Sequence, residues 1–113
     1  MRRRAIAEQD RALLDHVRAA VLEVEPSARI ILYGSRARGD AEPDSDWDLL
    51  VLVDGAVDHR RADAVSRRLY ALLLEQDDCP VLCAIVRGKE EWDSSLYRAM
   101  PFHANVEREG VEL

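Results

Sequence analysis

The residues best suited to chemistry lie in two short stretches. One is Gly34-Ser35-Arg36-Ala37-Arg38-Gly39; the other begins ten residues after Ser35 and reads Ser45-Asp46-Trp47-Asp48-Leu49. In an extended strand alternate side chains share a face, so Asp46 and Asp48 point the same way, roughly 6.6 Å apart along the backbone. Two like charges at that range repel unless a cation lies between them. Mg²⁺ suits such a pair, because it accepts one or two carboxylates and completes its shell with water and phosphate oxygens. The Gly-Ser turn supplies the other half. A strand that ends in Gly-Ser and opens a helix leaves backbone N–H groups free at the helix N-terminus, where the dipole favours an anion. Gly34 removes the Cβ that would hold a phosphate off, and Ser35 adds a hydroxyl donor. Arg36 and Arg38 bring charge, but residues two apart on a helix do not share a face, so at most one points inward. Phosphate donors beside a metal-binding acid pair are the minimal equipment for phosphoryl or nucleotidyl transfer. Alone, an Asp-X-Asp is more often a solvated turn, and Ser45-Asp46 could simply tighten a loop. The conjunction of the two stretches points to chemistry.

The elements that must position these residues follow from hydrophobic periodicity. Ile6, Leu13, Leu14, Val17, Val21 and Val24 recur at helical steps, which predicts an amphipathic helix over roughly residues 5–25, ended by Pro26. Residues 29–33 are short, apolar and β-branched, bounded by Pro26 and Gly34, and form a first strand. Arg36 to Arg38 make a short helical piece closed by Gly39, and Asp40 to Ser45 a polar loop. Residues 47–53 form a second strand whose unbroken run Leu49-Leu50-Val51-Leu52-Val53 implies cover on both faces. Its entry places the acids at the sheet's rim, while Leu50 and Leu52, on the face of Asp48, continue into the core. Asp58 caps a second helix to about Glu75, with Ala62, Val65, Leu69, Leu72 and Leu73 inward. Residues 81–86 are expected as a third buried strand. A last helical region starts at Lys89, breaks or restarts at Pro101, and closes at Gly110. The order is α-β-α-β-α-β-α, a sheet with helices packed on it.

Composition narrows the function. A chain of 113 residues is expected to form one domain, residues 1–113, with no room for a second to grip a large substrate. At 48% hydrophobic and 34% charged it is too apolar for a disordered tail and too charged for a membrane protein. The opening Met1-Arg2-Arg3-Arg4 lacks the apolar stretch a secretion signal needs, so the chain is expected in the cytoplasm. A formal net charge of −6 argues against direct DNA binding, which rests on a basic footprint. Cys79 and Cys83, with no His or Cys at ligand spacing, are expected as buried apolar residues. His16, His59 and His103 are scattered and expected to be structural or at the surface. Arg60, Arg61, Arg67 and Arg68 repeat at seven residues, which places them together on one side of their helix as a solvated face or as a partner or RNA contact. Trp92, Tyr97, Met100 and Phe102 are expected to seal the last helices to the core.

At the two chemical stretches the sequence resembles the minimal nucleotidyltransferases of the DNA polymerase β superfamily. Their shared pattern is Gly-Ser, a small Arg- and Gly-containing helix, a loop, and Ser-Asp-X-Asp-Leu. The likeness extends over most of the chain, including Asn105-Val106-Glu107-Arg108-Glu109-Gly110. It implies an α+β nucleotidyltransferase fold with a small mixed β-sheet of about three core strands. It also implies that Asp46 and Asp48 hold Mg²⁺ and act in catalysis, while Gly34 and Ser35 hold the triphosphate of an NTP, with ATP the first choice. Arg36, Arg38 and Ser45 complete the nucleotide-binding candidates. In the family a substrate hydroxyl attacks the α-phosphate and expels pyrophosphate. Members commonly work beside a small helical HEPN protein as the antitoxin of a toxin–antitoxin pair, and the acceptor would then be a tyrosine of the toxin and the transferred group AMP.

One departure matters. The family usually carries a third carboxylate on the next core strand, and here that strand reads Val81-Leu82-Cys83-Ala84-Ile85-Val86, with Leu82 or Cys83 at the expected position. Asp77 and Asp78 before it, or Glu90 and Glu91 after it, could substitute only with a distorted register. The alternative function is therefore a catalytically impaired antitoxin that neutralises its partner by binding alone. A metal-dependent glycosyltransferase using its Asp-X-Asp is a third reading, opposed by the short chain and the upstream Gly-Ser. Self-association into a homo-oligomer stays open.

Overall fold

A computed structural model describes residues 8–78 and 80–113. Helix α1 (Glu8–Val24) buries Leu14, Val17, Ala20 and Val21, one apolar stripe at three- and four-residue steps. The expected start near residue 5, with Ile6, lies outside the described residues. After Pro26 the chain enters β1 (Arg29–Tyr33), turns through α2 (Ser35–Arg38), and returns as β2 (Trp47–Val53). Helix α3 (His59–Leu74) begins at Asp58, whose carboxylate accepts a hydrogen bond from the Arg61 N–H at 2.8 Å. Then come β3 (Leu82–Gly88), the short helices α4 (Lys89–Trp92) and α5 (Ser95–Arg98), α6 (Pro101–Glu109) and β4 (Val111–Glu112). Pro101 opens α6 and Gly110 ends it.

The fold is α+β. Its sheet has the order β3-β2-β1-β4 and is mixed: β1 pairs antiparallel with β2 and β4, and β2 pairs parallel with β3. A two-residue β4 lay beyond the reach of periodicity, which needs more residues to declare a period. Strand β2 is buried on both faces, as its continuous apolar run requires. Trp47, Leu49, Val51 and Val53 join the core under α1 and α3, whereas Leu50 and Leu52 join Ile31, Trp92 and Val106 in a second core on the opposite face. Asp48 shares the face of Leu50 and Leu52.

Three expectations are corrected. The third strand is not buried: β3 is an edge strand, and only Val86 and Gly88 along it are buried. Cys83 is consequently exposed rather than a core residue, while Cys79 lies outside the described residues. The four arginines of α3 do not act as one face. Arg61 grips the buried Glu25 with two bonds of 2.7 and 2.8 Å, and Arg68 binds Glu23 at 2.7 Å, so both clamp α3 to α1 and its end. Arg60 and Arg67 remain exposed on the outer side. His16 and His59 are at the surface, and His103 is buried and stacked on Trp92 at 4.4 Å. Trp92 is buried against Tyr97 and Phe102, which closes the second core as expected, but Met100 is exposed and takes no part in it. No described helix is long and apolar enough to cross a membrane.

Candidate functional site

The site is assembled where β1 ends and β2 begins, because antiparallel pairing sets Tyr33 opposite Asp48. The next residue, Gly34, has φ 78° and ψ −159°, a conformation essentially reserved for glycine. A Cβ there would stand 2.5 Å from Asp48 Oδ2, so the missing side chain makes the space the carboxylate occupies. Ser35 then opens α2. The helix bonds begin with the N–H groups of Ala37 and Arg38, both donated to the Gly34 carbonyl at 3.0 Å. The earlier N–H groups of Ser35 and Arg36 stand outside this ladder, as at any helix start. Buried Ala37 anchors the short helix in the core, and Gly39 closes it at φ 86°.

Asp46 precedes β2 rather than lying within it, and it is exposed where Asp48 is half-buried. The two nevertheless act on each other. The Asp48 carboxyl is held above the ordinary carboxylate range, first by burial and then by the charge of Asp46, with Arg38 pulling the other way. A partly desolvated carboxylate beside a second one is an arrangement that a cation relieves. Among the described residues no three His, Cys, Asp or Glu side chains converge closely enough to hold a metal unaided. The pair therefore fits an ion that takes two carboxylates and draws its other ligands from water and phosphate, which describes Mg²⁺.

The remaining sequence candidates divide. Arg38 acts on the charge of Asp48 while pairing with Asp40 at 3.1 Å and Glu109 at 3.3 Å. Arg36 turns to the opposite side. Its guanidinium donates to the carbonyls of Ser45 (2.8 Å) and Pro43 (3.1 Å) and lies 4.4 Å from the centre of the Trp47 ring. Trp47 belongs to the far face of β2, so Arg36 pins the loop that delivers Asp46 and does not face Asp48. Ser45 is a loop residue as well: its hydroxyl accepts the Glu42 N–H at 2.8 Å.

Two neighbours of Asp48 went unforeseen or undecided. Tyr33 lies beside it, its phenol raised by burial and by the Asp48 charge, and Phe102 packs edge-on at 5.3 Å. Counting back from Gly34 along the strand would have found it. On the other side the register pairs Asp48 with Cys83, which settles that Cys83, not Leu82, occupies the adjacent position. Asp77 and Asp78 do not substitute. They line a cleft of about 710 Å³ with Arg36 and Trp47, on the face away from Asp48.

Comparison with known proteins agrees with this geometry. Residues 14–100 match the family model of the nucleotidyltransferase domain. Terminal uridylyltransferase cid1 of Schizosaccharomyces pombe (strain 972 / ATCC 24843) is 32% identical over 69 residues, covering 61% of this chain. The chain spans only 16% of that relative's length. Among solved structures, a chain of a toxin–antitoxin crystal structure with AMP-PNP superposes with a TM-score of 0.58 and 18% identity. The match covers 87% of this chain and 70% of that one, a likeness of fold.

Proposed function

The chain belongs to the nucleotidyltransferase domain family, within the polymerase β-like superfamily, and we propose that it transfers a nucleoside monophosphate, AMP by preference, from an NTP to a hydroxyl of a protein partner. The observation that carries this reading is the meeting of Asp48, Asp46 and the Gly34 turn in one place. Asp46 and Asp48 would hold Mg²⁺, which neutralises phosphate charge and orients the triphosphate when bound. The space above Gly34 lets phosphate oxygens approach the backbone, and the first N–H groups of α2 offer donors to them. In the reaction the acceptor oxygen bonds to the α-phosphorus, the bond to the β-phosphate breaks, pyrophosphate leaves, and the hydroxyl proton passes to water.

The acceptor is proposed to be a protein rather than a nucleic-acid end. The net charge of −6 gives no basic footprint, and two arginines of α3 are spent on α1 and its end. The fold likeness to a chain of a toxin–antitoxin structure supports an antitoxin role. As the partner in that role we propose a small helical HEPN-type toxin in the cytoplasm, with its tyrosine as acceptor. One observation favours a second reading. Cys83 stands beside Asp48 where an acid could have completed the site, so neutralisation by binding alone is the alternative.

Incubation with labelled ATP, Mg²⁺ and the product of the neighbouring gene separates the two. Label on the neighbour that disappears in Asp46→Asn is the expected result. A tight complex without label, unchanged by that substitution, would establish the binder. Absence of any Mg²⁺-dependent NTP uptake by calorimetry would remove the nucleotide site itself.

A further inference from the structure

Asp46 is the less secured of the two acids. It is exposed, it stands before the paired register of β2, and among the described residues no side chain bonds its carboxylate. Its place is set by its two neighbours in the chain, and one guanidinium holds both. Arg36 donates to the Ser45 carbonyl from Nε at 3.2 Å and from Nη2 at 2.8 Å, and Nη2 also reaches the Pro43 carbonyl at 3.1 Å. On the other flank the same group lies 4.4 Å from the centre of the Trp47 ring. The Trp47 N–H is in turn fixed to the Val81 carbonyl at 2.9 Å.

The turn from Glu42 to Ser45 otherwise closes on itself. The Ser45 N–H donates to the Glu42 carbonyl at 3.0 Å, and the Glu42 N–H to the Ser45 hydroxyl at 2.8 Å. Those bonds keep the shape of the turn, whereas the Arg36 bonds tie it to α2. Because α2 starts at the Gly34–Ser35 turn, Arg36 joins the two halves of the site from the far face of β2, where it lies with Trp47. Its chemistry suits that task. A guanidinium is planar, so its face can lie over an indole while its edge donates to two carbonyls, which a lysine ammonium cannot do at once.

We propose that Arg36 is a positioning residue for the reaction: it sets the place of Asp46 relative to the Gly34–Ser35 turn, so that cation and triphosphate reinforce each other's binding. The inference rests on the nucleotidyltransferase reading above. Binding of the two is linked, so whatever the cation adds to the affinity for ATP, ATP adds to the affinity for the cation. Loosening Asp46 lowers that shared gain. It leaves the metal-free affinity for ATP, which depends on the turn, where it was.

Titration calorimetry of the full chain with ATP, once in excess Mg²⁺ and once in EDTA, measures the gain as the ratio of the two dissociation constants. Arg36→Met is expected to cut that ratio about tenfold with the EDTA value unchanged, the lower end of what losing the outer partner of a metal ligand costs. Arg36→Lys is expected to recover only part of it. In an Asp46→Asn background, where the acid is already gone, Arg36→Met is expected to cost nothing further. An arginine that merely held the fold would weaken binding in EDTA as much as in Mg²⁺, and in both backgrounds; either result overturns the proposal. So does a ratio unchanged by Arg36→Met. If Arg36→Met does not fold, Arg36→Lys carries the same comparisons. A wild type whose affinity for ATP ignores Mg²⁺ overturns the nucleotidyltransferase reading itself, and this inference with it.

Discussion

The surroundings of Asp48 disfavour its ionised form, and this has a consequence for stability. Burial and the Asp46 charge raise its folded-state pKa above the value in the unfolded chain. The folded state therefore binds that proton more tightly, so the stabilising contribution is complete below the ordinary carboxylate pKa and is lost as pH rises through the elevated one. At neutral pH the charge works against the fold. Asp48→Asn, nearly the same shape without charge, is expected to melt at a higher temperature than the wild type at pH 7, with the gain vanishing near pH 3. It is also expected to lose Mg²⁺-dependent ATP uptake. Thermal scans at the two pH values with calorimetry check both, and a lower melting temperature at pH 7 would contradict the assignment. In the wild type, acidification through the elevated pKa should weaken that uptake as the proton displaces the cation. The acids and the glycine turn were legible because each is a local pattern in the sequence. The task of Arg36 was not, since it depends on which face of β2 receives Trp47 and where the loop carbonyls fall. Tyr33 and Cys83 reach Asp48 through strand register, which is a relation between distant segments.

At the scale of elements, the arginine-rich side of α3 is a fastening more than a recognition face. Glu25 is 8% exposed, and Arg61 satisfies both of its oxygens and also donates to the Ala56 carbonyl at 2.9 Å. Removing the arginine leaves a mostly buried carboxylate without its partner, whereas removing both charges leaves none. Arg61→Ala is expected to destabilise the protein measurably, by less than the loss of one partner of a fully buried pair because the guanidinium still meets water. The double variant Glu25→Gln with Arg61→Ala should recover part of that loss. Urea denaturation with an unchanged slope measures it, and equal losses in the single and double variants would refute the account. The seven-residue spacing revealed that these arginines recur but not that Glu23 and Glu25 stand opposite two of them, since α1 and α3 meet only in the folded chain. The same limit explains β3. Its apolar composition looks like a buried strand, and only the sheet order shows that it lies at an edge.

For the whole molecule the decisive element is β2, whose alternate residues build two cores at once. Leu49, Val51 and Val53 pack under α1 and α3, and Leu50 and Leu52 pack under the α4–α6 side, where Asp48 opens the site. This double role was readable from the unbroken apolar run, although the order of strands around it was not. Each core also contains one of the two tryptophans, Trp47 in the first and Trp92 in the second. Because one strand is shared, neither core can dissolve while the other keeps its floor, so the chain should unfold in a single step. Trp47→Phe and Trp92→Phe leave one fluorophore in each core, and their urea transitions are expected to coincide with that seen by circular dichroism. Trp92 is 2% exposed, and Trp92→Ala removes the centre of the second core at about 3–5 kcal/mol. With a urea slope near ~2 kcal/mol/M, the midpoint reported by Trp47 on the far face should fall by about 2 M. A Trp47 transition that stays in place after Trp92→Ala would mean that the two faces fold independently and that the site rests on only one of them.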